Sequence, residues 1–193
     1  MTRSNSSIQS ICVYCGSHPG NDPAFTQLAL RLGQSIASNG KRLVYGGGDN
    51  GVMGATAKGT LDGGGQVLGV IPQFLLEYEK RQNPQWLDAA EMVTVPDMHT
   101  RKRMMFEEAD AFIALPGGIG TLEELVEILT WAQLSRHEKP VALLNVGGFW
   151  DPFMDLLGHM SESGFLHNPA RVRPLLFTEP EAMIEALVNG EAA

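Results

Sequence analysis

The sequence is short of most features that would place it quickly. Its 193 residues hold 2 cysteines, too few for a disulfide framework. No apolar run approaches the ~18 residues of a membrane-spanning helix. The opening MTRSNSSIQS has no apolar stretch behind Arg3, so it does not read as a secretory leader. Basic residues are scarce, 14 Lys+Arg against 22 Asp+Glu for a net charge of −8. That balance argues against a nucleic-acid partner but leaves room for a small anionic ligand. Charged residues make up 19% and hydrophobic ones 44%, too apolar for a disordered chain. The expectation is one globular domain over residues 1–193, cytoplasmic and with no membrane contact.

The two cysteines fall in Cys12-Val13-Tyr14-Cys15, formally C-x-x-C. A redox pair opens a helix, whereas this one sits in a β-like run. Residues three apart on a strand point to opposite faces, so the sulfurs diverge. The five histidines (18, 99, 137, 159, 167) are too scattered to complete a zinc site. We read two buried thiols, with no metal and no cofactor.

Short β-branched runs alternate with helix-period segments. Strands are expected at 10–14, 42–45, 66–71, 92–95, 111–115 and 141–145, and a seventh at 172–177. Helices are expected at 23–38, 51–62, 98–109, 121–136, 152–163 and 179–189, with a mixed stretch over 72–88. The first helix has Asp22 as its cap, Pro23 at its first position and Asn39-Gly40 as its stop. This alternation implies an α/β, Rossmann-like fold: a doubly wound parallel sheet of six to seven strands with helices on both faces. Ligands of such sheets bind beyond the carboxyl ends of the strands.

Glycine is what the chain has in surplus, 22 residues where about 7% is usual. Ten lie between Gly46 and Gly69. Gly46-Gly47-Gly48-Asp49-Asn50-Gly51 is a literal G-x-G-x-x-G after a strand. It follows the second strand rather than the first, and no acidic residue ends the next strand, which disfavours a dinucleotide. A mononucleotide phosphate or sugar contact is the preferred reading, tight packing the bland one. Gly63-Gly64-Gly65 reads as a helix stop.

The second glycine stretch is sharper. Leu115-Pro116-Gly117-Gly118-Ile119-Gly120-Thr121-Leu122-Glu123-Glu124 follows an apolar strand and opens a helix. Glycines let backbone N–H groups approach an anion, and a helix N-terminus adds roughly half a positive charge. The loop therefore reads as a phosphate cradle. Thr121-x-x-Glu124 is equally a capping box, which would give Glu124 a structural role. Upstream, Arg101-Lys102-Arg103 sit in the first turn of a helix. Arg101 and Lys102 face the sheet, while Arg103 points away toward Glu107. The acidic total is expected to hide a small basic pocket around Arg101 and Lys102.

Pro116-Gly117-Gly118-x-Gly120-Thr121-x-x-Glu124, with Met98-His99-x-Arg101-Lys102 upstream, closely resembles the LOG ("lonely guy") family. Cys15-Gly16-Ser17, Gly51-Val52-Met53-Gly54 and Thr130-Trp131-Ala132-Gln133-Leu134 extend the likeness from about Ile11 to Leu156. That family comprises cytokinin riboside 5′-monophosphate phosphoribohydrolases, labelled lysine decarboxylase-like in older usage. The resemblance implies hydrolysis of the N-glycosidic bond of N6-modified AMP, and of AMP, to free base and ribose 5-phosphate. It implies Arg101 and Glu124 as the catalytic pair. It implies substrate contacts at Glu79, Lys102, Gly117, Gly118, Ile119, Gly120, Thr121, Leu122, Glu123 and Thr130, and a homodimer. Nothing around the five lysines suggests a Schiff base, so decarboxylation is not expected. The alternative is a non-catalytic nucleotide-binding module on the same fold.

Overall fold

A computed structural model describes residues 8–78 and 84–190. Its seven strands form one parallel sheet in the order β4-β3-β2-β1-β5-β6-β7. They are β1 (Ser10–Tyr14), β2 (Arg42–Tyr45), β3 (Val67–Pro72), β4 (Glu91–Val95), β5 (Ala111–Ala114), β6 (Val141–Leu144) and β7 (Leu175–Phe177). The helices are α1 (Pro23–Ser38), α2 (Gly51–Asp62), α3 (Gln73–Tyr78), α4 (Met98–Glu107), α5 (Ile119–Gln133), α6 (Asp151–Glu162) and α7 (Pro180–Asn189). Every expected element forms; β1, β2, α1 and α2 match at both ends, and the others differ by one to three residues at an end. The mixed stretch resolves into α3 and a 3-10 turn at Gln85–Ala89.

Alternate residues of β1 feed two cores. Ile11, Val13 and Cys15 join one with Leu32, Ile36, Ala57 and Ile184, so α1, α2 and α7 cover that face. Cys12 and Tyr14 join the other with Met105, Leu125 and Leu129, so α4 and α5 cover the opposite face. The two thiols are free, buried and in different cores, as strand periodicity requires.

Helix α1 obeys its local signals. Asp22 accepts the Ala24 N–H at 2.8 Å, Pro23 leads, and Gly40 takes a left-handed φ of 65° after the Asn39 cap. The α1–α2 contact was not foreseen. A Cβ on Gly33 would lie 2.2 Å from the Thr56 carbonyl oxygen, and one on Gly59 would lie 2.2 Å from that of Leu30. The two backbones meet where neither has a side chain.

The direction of winding across the sheet reverses between β1 and β5: successive units are added outward from β1 toward β4, then from β5 toward β7. At that switch the Leu115 N–H donates to the Tyr14 carbonyl at 2.9 Å, and the Gly16 N–H to that of Pro116 at 3.2 Å. The loops after β1 and β5 are thereby joined side by side. Ligand sites of open α/β sheets lie at this point.

Candidate active site

A cavity of about 640 Å³ opens over the switch point. The loop after β1 (Cys15 to Gly20) forms one wall and the cradle residues Pro116, Gly117, Gly118, Gly120 and Thr121 face it. Arg101 and Glu124 close the floor. Phe25 and Phe149 line one flank, and Met98, Phe74 and Leu75 another.

The cradle is built by glycine for two different reasons. A Cβ on Gly117 would lie 2.2 Å from Thr121 Oγ1 and 2.8 Å from the Gly16 nitrogen, so this glycine permits close packing. Gly118 and Gly120 have nothing within 4 Å of such a Cβ. Gly118 is the N-cap of α5, with extended φ/ψ of −93° and −159° and no side-chain capping bond. Helix α5 thus starts at Ile119, two residues before the expected start. Thr121 and Glu124 lie within it, and no capping box forms. The orphan N–H groups of its first turn are left beside the cavity.

Glu124 is instead turned inward and only 8% exposed. Burial pushes its carboxyl up from an ordinary 4.5 to about 7, against the opposing pull of Arg101. Arg101, 7% exposed, places Nη1 3.9 Å from Glu124 Oε1. Its other nitrogens are held by backbone: Nε donates to the Val70 carbonyl at 3.2 Å and Nη2 to that of Gly46 at 3.1 Å.

Lys102 does not line the cavity. Its ammonium donates to Glu123 Oε1 at 2.6 Å and to Glu127 Oε1 at 3.2 Å. Burial alone would lower its pKa, but these two carboxylates outweigh that and raise it. The basic pocket expected from the sequence is therefore corrected. Arg101 and Lys102 are met by Glu124, Glu123 and Glu127, three carboxylates to two cations. The reach of these carboxylates along α5 is invisible in a run of basic residues. Arg103 is exposed and forms no ion pair with Glu107.

The remaining expected contacts divide. Gly117, Gly118, Gly120, Thr121 and Glu123 line the cavity with Arg101 and Glu124. Ile119 is 81% exposed, and Leu122 packs against the core shared by α4 and α5. The Thr130 hydroxyl is exposed and donates to the Val126 carbonyl at 2.7 Å, away from the cavity. Glu79 lies outside the described residues.

The first glycine loop is closely packed and its glycines do not line the cavity, which favours the packing reading of it over a phosphate or sugar contact. Gly46 leaves room for Arg101; Gly51, at a φ of 60°, passes under the Ser17–His18 backbone; Gly54 abuts Asp49. Of this region only Val52 and Met53 reach the cavity. No motif marks Phe25, Phe74, Leu75 and Phe149 as cavity walls. Phe25 reads as core, and Phe149 lies in an irregular segment with no motif. The position of the loop after β1 at the switch point was the available signal for Ser17 and His18.

Residues 53–187 match the family described as "Possible lysine decarboxylase". At the sequence level the chain is 48% identical to "Probable cytokinin riboside 5′-monophosphate phosphoribohydrolase LOGL1" of Oryza sativa subsp. japonica, over 89% of this chain and 74% of that one. It is 48% identical to the cytokinin riboside 5′-monophosphate phosphoribohydrolase LOG of the same plant, over 86% of this chain and 67% of that one. The chain belongs to the LOG family. Membership, with relatives named as phosphoribohydrolases, makes it an N-glycosidic hydrolase. The LOG-type fold has other users. The molybdenum cofactor carrier protein of Chlamydomonas reinhardtii superposes with a TM-score of 0.68 at 22% identity, over 96% of this chain and 99% of that one.

Proposed function

We propose that this LOG-family chain hydrolyses the N-glycosidic bond of N6-modified AMP, and of AMP, to free base and ribose 5-phosphate. The observation that carries the reading is a buried carboxyl with a pKa of about 7, beside a fixed guanidinium, at the foot of a glycine cradle. The 5′-phosphate sits on the N-terminus of α5, where the dipole and unpaired N–H groups favour an anion. That anchors the anomeric carbon near Glu124. As the C–N bond breaks, the base leaves with the bonding pair and takes up a proton from solvent, to which Glu124 later returns the one it gains. Ionised Glu124 stabilises the oxocarbenium-like state, then accepts a proton from the water that adds to the anomeric carbon.

The same catalytic pair predicts that Glu124→Gln and Arg101→Ala each abolish base release while the circular dichroism spectrum stays native. Incubation with N6-isopentenyl-AMP, AMP and dAMP, with free base and ribose 5-phosphate followed by chromatography, tests the activity and ranks the substrates. Binding without turnover would favour the carrier reading, which the shared fold with the cofactor carrier motivates.

We also propose a homodimer formed through α5. Val126 is 45% and Leu134 62% exposed, and Thr130 falls on the same stripe at four-residue spacing. Thr130 then meets a substrate only across such an interface. Light scattering at micromolar concentration checks the mass. A cytoplasmic location agrees with the finding that no helix among the described residues is long and apolar enough to cross a membrane; cell fractionation checks it.

A further inference from the structure

Strands β2 and β3 pair from Leu43–Val67 to Tyr45–Gly69 and then part. Gly46 turns away toward α2, while Val70 continues to pair with Val93 of β4. The Arg101 guanidinium fills the resulting fork, one donor on each prong: Nε on the Val70 carbonyl and Nη2 on the Gly46 carbonyl. Two bonds to two different strands fix both the position and the plane of a rigid donor. Nη1 alone is left over, 3.9 Å from Glu124 Oε1 and 3.8 Å from Met98 Sδ. A Cβ on Gly46 would stand 2.0 Å from Nη2. The backbone there is not in the left-handed region, so the chain itself tolerates alanine; the methyl group collides with the arginine and next meets the flexible Met53 Sδ, at 3.3 Å.

We propose that the Gly46–Val70 fork is the positioning device of the site, with Gly46 a positioning residue that aims Arg101 at Glu124 and away from the substrate phosphate. The proposal rests on Glu124 as the hydrolytic carboxylate. Arg101 then serves as a fixed charge that keeps the buried carboxyl ionisable near neutral pH. Other groups facing Glu124 do not replace it. Lys102 of α4 is committed to Glu123 and Glu127, the latter two on α5 itself and of like charge. Cys12, Tyr14 and Cys15, on β1 and just past its end, are kept neutral by burial.

The test is the titration of Glu124 in the full chain without substrate, followed by carboxyl 13C NMR. Gly46→Ala is expected to raise its midpoint from about 7. Base release at pH 7 then falls about fivefold, the loss of ionised fraction for a midpoint moving from about 7 to about 8. Activity recovers at higher pH, with KM for AMP little changed. In an Arg101→Ala background, Gly46→Ala is expected to leave the Glu124 midpoint where Arg101→Ala put it. A wild-type titration in Gly46→Ala, or a shift that persists without Arg101, overturns the proposal. Should Gly46→Ala fail to fold, Arg101→Lys keeps the charge but cannot span both carbonyls. A raised midpoint there supports the fork and an unmoved one refutes it. Because the titration needs no turnover, it stands apart from the hydrolase reading, which fails if Glu124→Gln still releases base.

Discussion

At Glu124 the protein holds a carboxyl in surroundings that favour its neutral form, and this has a consequence for stability as well as for rate. Its pKa is about 7 folded against an ordinary 4.5. Between those values the folded state keeps a proton that the unfolded state has lost, so stability falls as pH rises through that window. The loss is complete above about pH 7 and amounts to roughly 3 kcal/mol. Glu124→Gln, which cannot ionise, is expected to resist urea better than wild type at pH 8 and equally at pH 4. The ionised form is the active one in the proposed mechanism, so kcat/KM for AMP should climb with pH and level off above about 7. A profile that instead falls through that range would make Glu124 an acid. Glu124 was half legible in the sequence. Its spacing from Thr121 fits a capping box as well as a catalytic role, and one fact missing from the motif removes the capping box. Gly118 takes extended backbone and starts the helix early, which rotates Glu124 onto the sheet.

Among the elements, strands and helices were readable because β-branched runs and 3.6-residue stripes are local properties of the chain. What lies between elements was not. The Gly33–Gly59 contact joins residues on α1 and α2 that no stripe marks, since a glycine adds nothing to a hydrophobic pattern. Gly33→Ala would place its Cβ 2.6 Å from the Thr60 nitrogen as well as against Thr56, and neither is a side chain that can swing aside. Overpacking of this kind costs about 1–3 kcal/mol. We expect a melting temperature lower by roughly 5 °C in a chain of this size, by calorimetry, with activity per folded molecule preserved at low temperature. The first glycine loop misled for a related reason. Its spacing suits a phosphate, yet Gly46, Gly47 and Gly51 pack closely on Arg101, on Ile71 and Met92, and on Ser17 and His18, partners supplied by other elements.

For the whole molecule, the net charge of −8 and the ion pairs that carboxylates make with Arg101 and Lys102 act together. A basic funnel would speed capture of an anionic nucleotide at low salt and lose that advantage as salt screens it. Here the overall charge is negative and Arg101 and Lys102 are met by carboxylates, so no funnel of free cations is expected. Raising NaCl from 50 to 500 mM is therefore expected to leave kcat/KM for AMP within about twofold and not below its low-salt value. A steep fall would reveal a basic patch that the ion pairs conceal. The sheet order itself was only partly legible: parallel strands followed from the alternation, while the return to β5 beside β1 depends on which faces pack, and periodicity does not report that. The bare rim of the cradle has one more effect. Arginine or lysine closing on a ligand loses up to about 2 kcal/mol of rotamer entropy. Gly118 and Gly120 have no rotamers to lose. A phosphate seated there, as proposed, orders no side chain of Gly118 or Gly120, so the side-chain part of the ordering cost drops out and the rest, desolvation and the ligand's own lost freedom, remains.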